Sequence, residues 1–92
     1  MQNYLYTHSL QQAQADNLII IDIRRLEEIS ARPLPQAQLT IEMTDLLANP
    51  SQHLDPNKRY LLVCAAGIRS NKSAAELHQQ GYTNVLSYPS AW

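Results

Sequence analysis

Two short runs of consecutive apolar residues, Leu18-Ile19-Ile20-Ile21 and Tyr60-Leu61-Leu62-Val63, constrain this chain more than anything else in it. A strand with one wet face alternates apolar and polar positions, whereas a run with no charged or strongly polar member has to be covered on both faces. Each run is short, and three isoleucines in the first favour strand over helix. Strands of a mainly parallel sheet, covered by helices on both faces, meet this requirement.

The rest of the chain supplies the helices and the connections. Residues 4–7 read as a short strand and residues 9–15 as a helix with Ser9 near its cap. Residues 26–31 suit a short helix ended by Arg32-Pro33-Leu34-Pro35, because a residue before proline avoids the helical region. Residues 39–42 read as a strand and 44–49 as a helix stopped by Pro50. A turn at Asp55-Pro56-Asn57 feeds the second apolar run, residues 70–80 form the longest helix with Gly81 as its C-terminal cap, and residues 84–87 make the last strand. The expectation is an α/β fold, a mainly parallel sheet of about five strands with helices on both faces, built from residues 1–92 as one domain.

In an open parallel sheet, ligands bind beyond the carboxyl ends of the strands. Asp22 and Cys64 each follow an apolar run at such an end. Cys64 is the chain's only cysteine, and Cys64 to Arg69 form a six-residue join between strand and helix. A short turn of this kind aims several backbone N–H groups at one spot, and the following helix adds the positive end of its dipole. A free thiol of pKa about 8.5 is only about 3% thiolate at pH 7, and a helix end contributes roughly 0.3 to 2 kcal/mol toward the anion. Cys64 is thus either a small hydrophobe closing a buried strand or a nucleophile active near neutral pH. Gly67, which tolerates positive φ, the fixed cation of Arg69 and a capping Ser70 favour the nucleophile.

Cys64-Ala65-Ala66-Gly67-Ile68-Arg69-Ser70 resembles the active-site loop of the rhodanese-like sulfurtransferases, Cys-x-x-Gly-x-Arg-Ser after a hydrophobic strand. Three further segments resemble that family in order and spacing: the first apolar run continuing into Asp22-Ile23-Arg24 and Glu28, Pro33-Leu34-Pro35-Gln36-Ala37, and Gly81-Tyr82-Thr83-Asn84-Val85. The chain departs from the family pattern where Pro33 stands for a usual His and Gln36 for a Gly. Tyr88-Pro89-Ser90-Ala91-Trp92 also lacks the usual Gly-Gly pair.

The resemblance implies sulfur transfer through a persulfide on Cys64. The thiolate takes the outer sulfur of thiosulfate or of a small or protein-borne persulfide, and a thiol, a protein or cyanide then removes it. The loop residues Ala65, Ala66, Gly67, Ile68, Arg69 and Ser70 are expected to hold the anion, with Asp22, Arg24 and Glu28 in support as a polar network beside the loop. Arg69 has two options, facing the pocket or pairing outward with a carboxylate. Four residues between Cys64 and Arg69 make a tighter ring than the Cys-x5-Arg loops of related phosphatases, which suits one sulfur atom rather than a phosphate. Small neutral Ala65 and Ala66 favour a delivered persulfide over free thiosulfate. No metal or organic cofactor is implied. A different class of reading is a non-catalytic binding or sulfur-carrier module within a larger system.

Composition agrees with these bounds. Ninety-two residues suffice for one core, since a chain this size buries a little over about 60% of its unfolded surface. A net charge of −1 with no basic stripe argues against nucleic acid, and no segment approaches a membrane span. The N-terminal residues lack the pattern of a signal peptide, so a cytoplasmic, reducing location is the default. His8, His53 and His78 are widely separated among polar residues and read as surface histidines, with no metal-ligand spacing. Tyr82 and Tyr88 read as packing residues, and Glu27 and Glu28 diverge on a helix.

Overall fold

The structure is a computed structural model that describes residues 4–90. Residues 1–3, where the signal-peptide reading begins, and residues 91–92, the end of the segment without Gly-Gly, lie outside the described residues. The element order is α1 (Leu10–Ala15), β1 (Ile19–Asp22), α2 (Leu26–Ala31), β2 (Leu39–Thr40), α3 (Met43–Ala48), α4 (Pro50–His53), β3 (Tyr60–Val63), α5 (Ile68–Gln79) and β4 (Val85–Ser87).

The two apolar runs lie side by side as the central strands. The sheet order is β2-β1-β3-β4 and every pairing is parallel, with Ile19 opposite Tyr60 and Asp22 opposite Val63. Side chains alternate between two cores. Ile20, Leu61 and Val63 pack with Leu10 and Ala13 of α1 on one face. Ile21, Tyr60, Leu62 and Cys64 pack with Leu46 of α3 and with Ala74 and Leu77 of α5 on the other. This alternation has a consequence for chemistry. Asp22 is in register with Val63, so it shares that residue's side of the sheet, whereas Cys64 falls on the α5 side.

Four strands are present among the described residues, not five. The segment expected as a first strand makes one parallel bridge, Leu5 to Ser87, held by Tyr6 N donating to Ser87 O at 2.8 Å and Ser87 N donating to Tyr4 O at 2.6 Å. β4 is only three residues long, which limits what can pair along it. β2 is likewise shorter than expected. Just before it, the Gln38 side chain accepts the Ile20 N–H at 3.0 Å, where a longer strand would have offered a carbonyl.

Two boundaries differ for local reasons. Pro50 ends one helix and begins the next, because a residue without an N–H is tolerated at the first helical position. The longest helix starts at Ile68, two residues before the expected Ser70, because Gly67 at φ +89° takes the N-cap position itself. Its other end closes as expected: Gly81 at φ +97° lets Gly81 N–H donate to His78 O at 3.1 Å and Tyr82 N–H to Leu77 O at 2.9 Å. Tyr82 and Tyr88 pack against the two cores. A Cβ on Gly81 would meet no atom within 4 Å, so Gly81→Ala isolates the left-handed backbone cost. We expect a loss of about 1 to 2 kcal/mol in urea unfolding, with no change in fold by circular dichroism.

Candidate functional site

At the carboxyl end of β3 the chain leaves the sheet with Cys64, 1% exposed, and turns through Ala65 and Ala66, both exposed, to Gly67. The turn curls back on the sulfur. Cys64 Sγ accepts hydrogen bonds from Gly67 N at 3.1 Å and Ser70 N at 3.3 Å, and lies 3.6 Å from Ser70 Oγ. Burial pushes the thiol up. The Ser70 hydroxyl and the backbone N–H groups of Ser70, Ala66 and Gly67 outweigh it, and the net effect holds Cys64 below its ordinary value. The cradle expected from the sequence therefore exists, with its own atoms directed at its own cysteine.

Gly67 is what lets the turn close. Its left-handed φ is one reason, and the second is space: a Cβ there would sit 2.3 Å from the Pro89 carbonyl oxygen. Tyr88, Pro89 and Ser90, the described part of the segment that lacks the Gly-Gly pair, thus lie against the loop. A further polar contact ties this segment there, because Ser70 Oγ lies 3.0 Å from Tyr88 O as well as 3.1 Å from Gly67 O, alternative acceptors for its one proton. Ser70 sits within the first turn of α5, not before it, and its hydroxyl ties β4's exit to the loop. This contact was not legible in the sequence, since the partners are carbonyl oxygens that any residue carries.

Arg69 takes the outward option. Its Nη1 and Nη2 donate to Glu28 Oε1 at 2.7 Å and Oε2 at 2.8 Å, a bidentate pair joining α5 to α2. Glu28 Oε1 also accepts the Arg25 N–H at 3.1 Å. The Arg69 hydrogen bonds first, then that N–H, hold the Glu28 carboxyl down at about 2. Arg69 in turn is raised, first by Glu28, with smaller contributions from Cys64 and Asp22.

Asp22 and Arg24 do not reach the sulfur. They form a buried pair, Arg24 Nη2 to Asp22 Oδ2 at 2.8 Å, and Arg24 also donates to the carbonyls of Glu28 and Arg32. Their part is to fix α2, and α2 carries Glu28 to Arg69. The expected polar network thus splits in two, a buried half that anchors a helix and a half-exposed half that grips the loop. Ile68 projects outward, 75% exposed.

The histidines are less alike than expected. His8 is exposed, but His53 is half-buried with Nε2 3.1 Å from Asp45, and half-buried His78 has a ring nitrogen 2.7 Å from Val85 O. The correction follows from α5 lying across β4, which brings His78 over the strand's backbone. None of the three bonds the cysteine. A cavity of about 600 Å³ lies at the opposite, amino end of the sheet beside Ile19 and Tyr60 and includes no residue of the loop. Among the described residues no three His, Cys, Asp or Glu side chains group as metal ligands, and no helix is long and apolar enough to cross a membrane.

Two outcomes follow from this geometry. Gly67→Ala combines left-handed strain with a backbone clash, so it is expected to cost more than the roughly 1 to 2 kcal/mol of left-handed backbone alone and to exceed Gly81→Ala in urea unfolding. Glu28, ordinarily ionising near 4.5, is held at about 2, so its stabilisation is complete above about 4.5 and lost as pH falls through about 2. Glu28→Gln should flatten the acid limb of a stability-versus-pH curve in that window and leave its slope above pH 5 unchanged.

Comparison with known proteins agrees with this architecture. A family model described as rhodanese-like domain matches residues 6–92. A tRNA sulfurtransferase of Shewanella amazonensis is 41% identical over 76 residues, covering 80% of this chain; the chain spans only 16% of that relative's length. The human single-domain sulfurtransferase TSTD1 superposes with a TM-score of 0.71 at 21% identity, covering 90% of this chain and 85% of that one. A rhodanese homologue from Thermus thermophilus superposes with a TM-score of 0.72 at 22% identity, covering 99% and 98%. These structural likenesses show the fold. The family match, running from residue 6 to residue 92, places this chain in the rhodanese-like domain family.

Proposed function

We propose that this protein is a rhodanese-type sulfurtransferase in which Cys64 takes sulfane sulfur from thiosulfate or a persulfide and passes it to a thiol or to cyanide. The observation that carries the reading is the pair of backbone N–H groups, of Gly67 and Ser70, at 3.1 and 3.3 Å from the Cys64 sulfur. Donors fixed by the turn need no reorganisation when charge develops on sulfur, which is what makes such groups effective. The lowered thiol supplies the nucleophile.

The steps follow from this geometry. The Cys64 thiolate attacks the outer sulfur of the donor, a new S–S bond forms, the donor's S–S bond breaks, and sulfite or a thiolate departs with the electron pair. The persulfide is then attacked at its outer sulfur by the acceptor, which restores the Cys64 thiolate. Ala65, Ala66, Gly67, Ile68, Arg69 and Ser70 form the rim and floor; Asp22, Arg24 and Glu28 hold α2 and Arg69 in place. One cysteine suffices, and neither metal nor organic cofactor takes part. The reading treats residues 1–92 as one such domain in a reducing, cytoplasmic setting, where a lone thiol stays available.

A second reading draws on one observation. The 76 matched residues fall within a much longer tRNA sulfurtransferase, of which this chain spans 16%. In this reading the chain is a sulfur-carrier or binding module within a larger system, with Cys64 loaded but no product released to a small acceptor.

Intact-mass measurement after incubation with thiosulfate or cysteine persulfide tests the proposal. Wild type is expected to gain one sulfur and Cys64→Ala none; a wild-type thiol that stays unmodified with both donors would overturn the reading. Turnover with excess donor then separates the two roles, since an enzyme forms many equivalents of thiocyanate per Cys64 at a rate that saturates with cyanide, whereas a carrier releases its single loaded sulfur at the rate of an ordinary persulfide. Alkylation by iodoacetamide should reach half its plateau rate below the about 8.5 of an unperturbed thiol. Because Ser70 supplies the largest favourable contribution, Ser70→Ala should move that midpoint upward.

A further inference from the structure

The cation of the loop is spent inside the protein. Cys64 to Ser70 contain one charged side chain, Arg69, and both of its terminal nitrogens donate to the two oxygens of Glu28. The side chains of Arg69 and Glu28 are 31% and 34% exposed, so the pair stands at the rim where an arriving molecule meets it. The other exposed side chains of the loop, Ala65, Ala66 and Ile68, are uncharged. What the loop offers to an incoming anion is therefore backbone N–H groups and no uncompensated positive side chain.

We infer that Glu28 is a specificity-determining residue: by covering the Arg69 charge it disfavours dianionic thiosulfate relative to a persulfide donor, which carries at most one net negative charge. The inference rests on the sulfurtransferase reading of Cys64 and names the class of donor for it. Coulomb attraction scales with the product of the charges, so cancelling one cation costs a dianion twice what it costs a monoanion. It costs a donor with no net charge at the distance of Arg69 almost nothing. Transfer from the persulfide needs no other reagent. The Cys64 thiolate attacks the outer sulfur of R–S–SH, the Cys64 S–S bond forms as the donor S–S bond breaks, and R–S⁻ leaves with the electron pair, so charge and oxidation state balance.

Glu28→Gln is the informative substitution, because the amide keeps an oxygen to accept one Arg69 N–H while removing the negative charge. Steady-state kinetics with thiosulfate and with cysteine persulfide, at low and high ionic strength, read the effect. In Glu28→Gln the KM for thiosulfate is expected to fall roughly five- to tenfold at low salt, with the gain shrinking as salt rises, while kcat moves little. The KM for cysteine persulfide, with half that net charge, should change by no more than the square root of that factor, about two- to threefold. Glu28→Asp keeps the charge and should shift the thiosulfate KM far less than Gln. Arg69→Gln leaves a bare carboxylate and should raise it, which provides an independent arm if Glu28→Gln folds poorly. A thiosulfate KM indifferent to these changes, or one that moves in step with that for cysteine persulfide, would overturn the inference while leaving sulfur transfer intact. Failure of both donors to load wild-type Cys64 would overturn the two together.

Discussion

The left-handed turn at Gly67 is the constraint on which the site depends. With φ +89° the chain reverses just after the sheet, and that reversal brings the N–H groups of Gly67 and Ser70 to within 3.1 and 3.3 Å of one sulfur. An L side chain at this position would carry the cost of the left-handed region, about 1 to 2 kcal/mol, and would also collide with the Pro89 carbonyl. The turn is thus held from two sides, by its own backbone conformation and by the strand exit lying on it. A flexible loop would have to order itself around each anion, whereas this one is already closed around Cys64 before any donor arrives.

Parallel strand order brings the components together. β3 delivers Cys64 and β1 delivers Asp22 to the same end of the sheet, yet side-chain alternation sends them to opposite faces. The acid at the end of β1 is therefore free of any direct part at the sulfur and works through α2 instead. Asp22 fixes Arg24, Arg24 gathers carbonyls of α2, and α2 presents Glu28 to Arg69 at the start of α5. Two helices that begin at the same end of the sheet are joined by a bidentate bond across its top.

How much of this was legible in the sequence depends on where the information is stored. The apolar runs announced two strands and their burial, because covering a strand on both faces leaves no room for polar residues. Ser9, Gly81 and the Asp55-Pro56-Asn57 turn marked their boundaries through local chemistry, and each falls where local rules place it. Ser70 did not, since a glycine in the left-handed region replaced the expected side-chain cap and the helix began earlier. The strand expected at residues 4–7 shrank to a single bridge because its strength depends on what β4 offers, which no local pattern reveals. In the site, Cys64 and its loop were visible as residue types. The direction of Arg69 was not, because Glu28 lies 41 residues away and the choice between pocket and carboxylate is made in three dimensions.

That choice also bears on what the loop can hold. A phosphoryl group presents several oxygens, and stabilising it in transfer calls for cations or fixed donors around all of them. Here the N–H groups that converge most closely do so on one sulfur atom, and the guanidinium that follows is bound to a carboxylate through both ends. Four residues between Cys64 and Arg69 leave the ring small, and the Pro89 carbonyl lies where a side chain on Gly67 would project. Size and charge therefore act in the same direction. A ring already occupied by the Cys64 sulfur, with its cation neutralised, fits the proposed transfer of one sulfur atom better than a group that presents several oxygens.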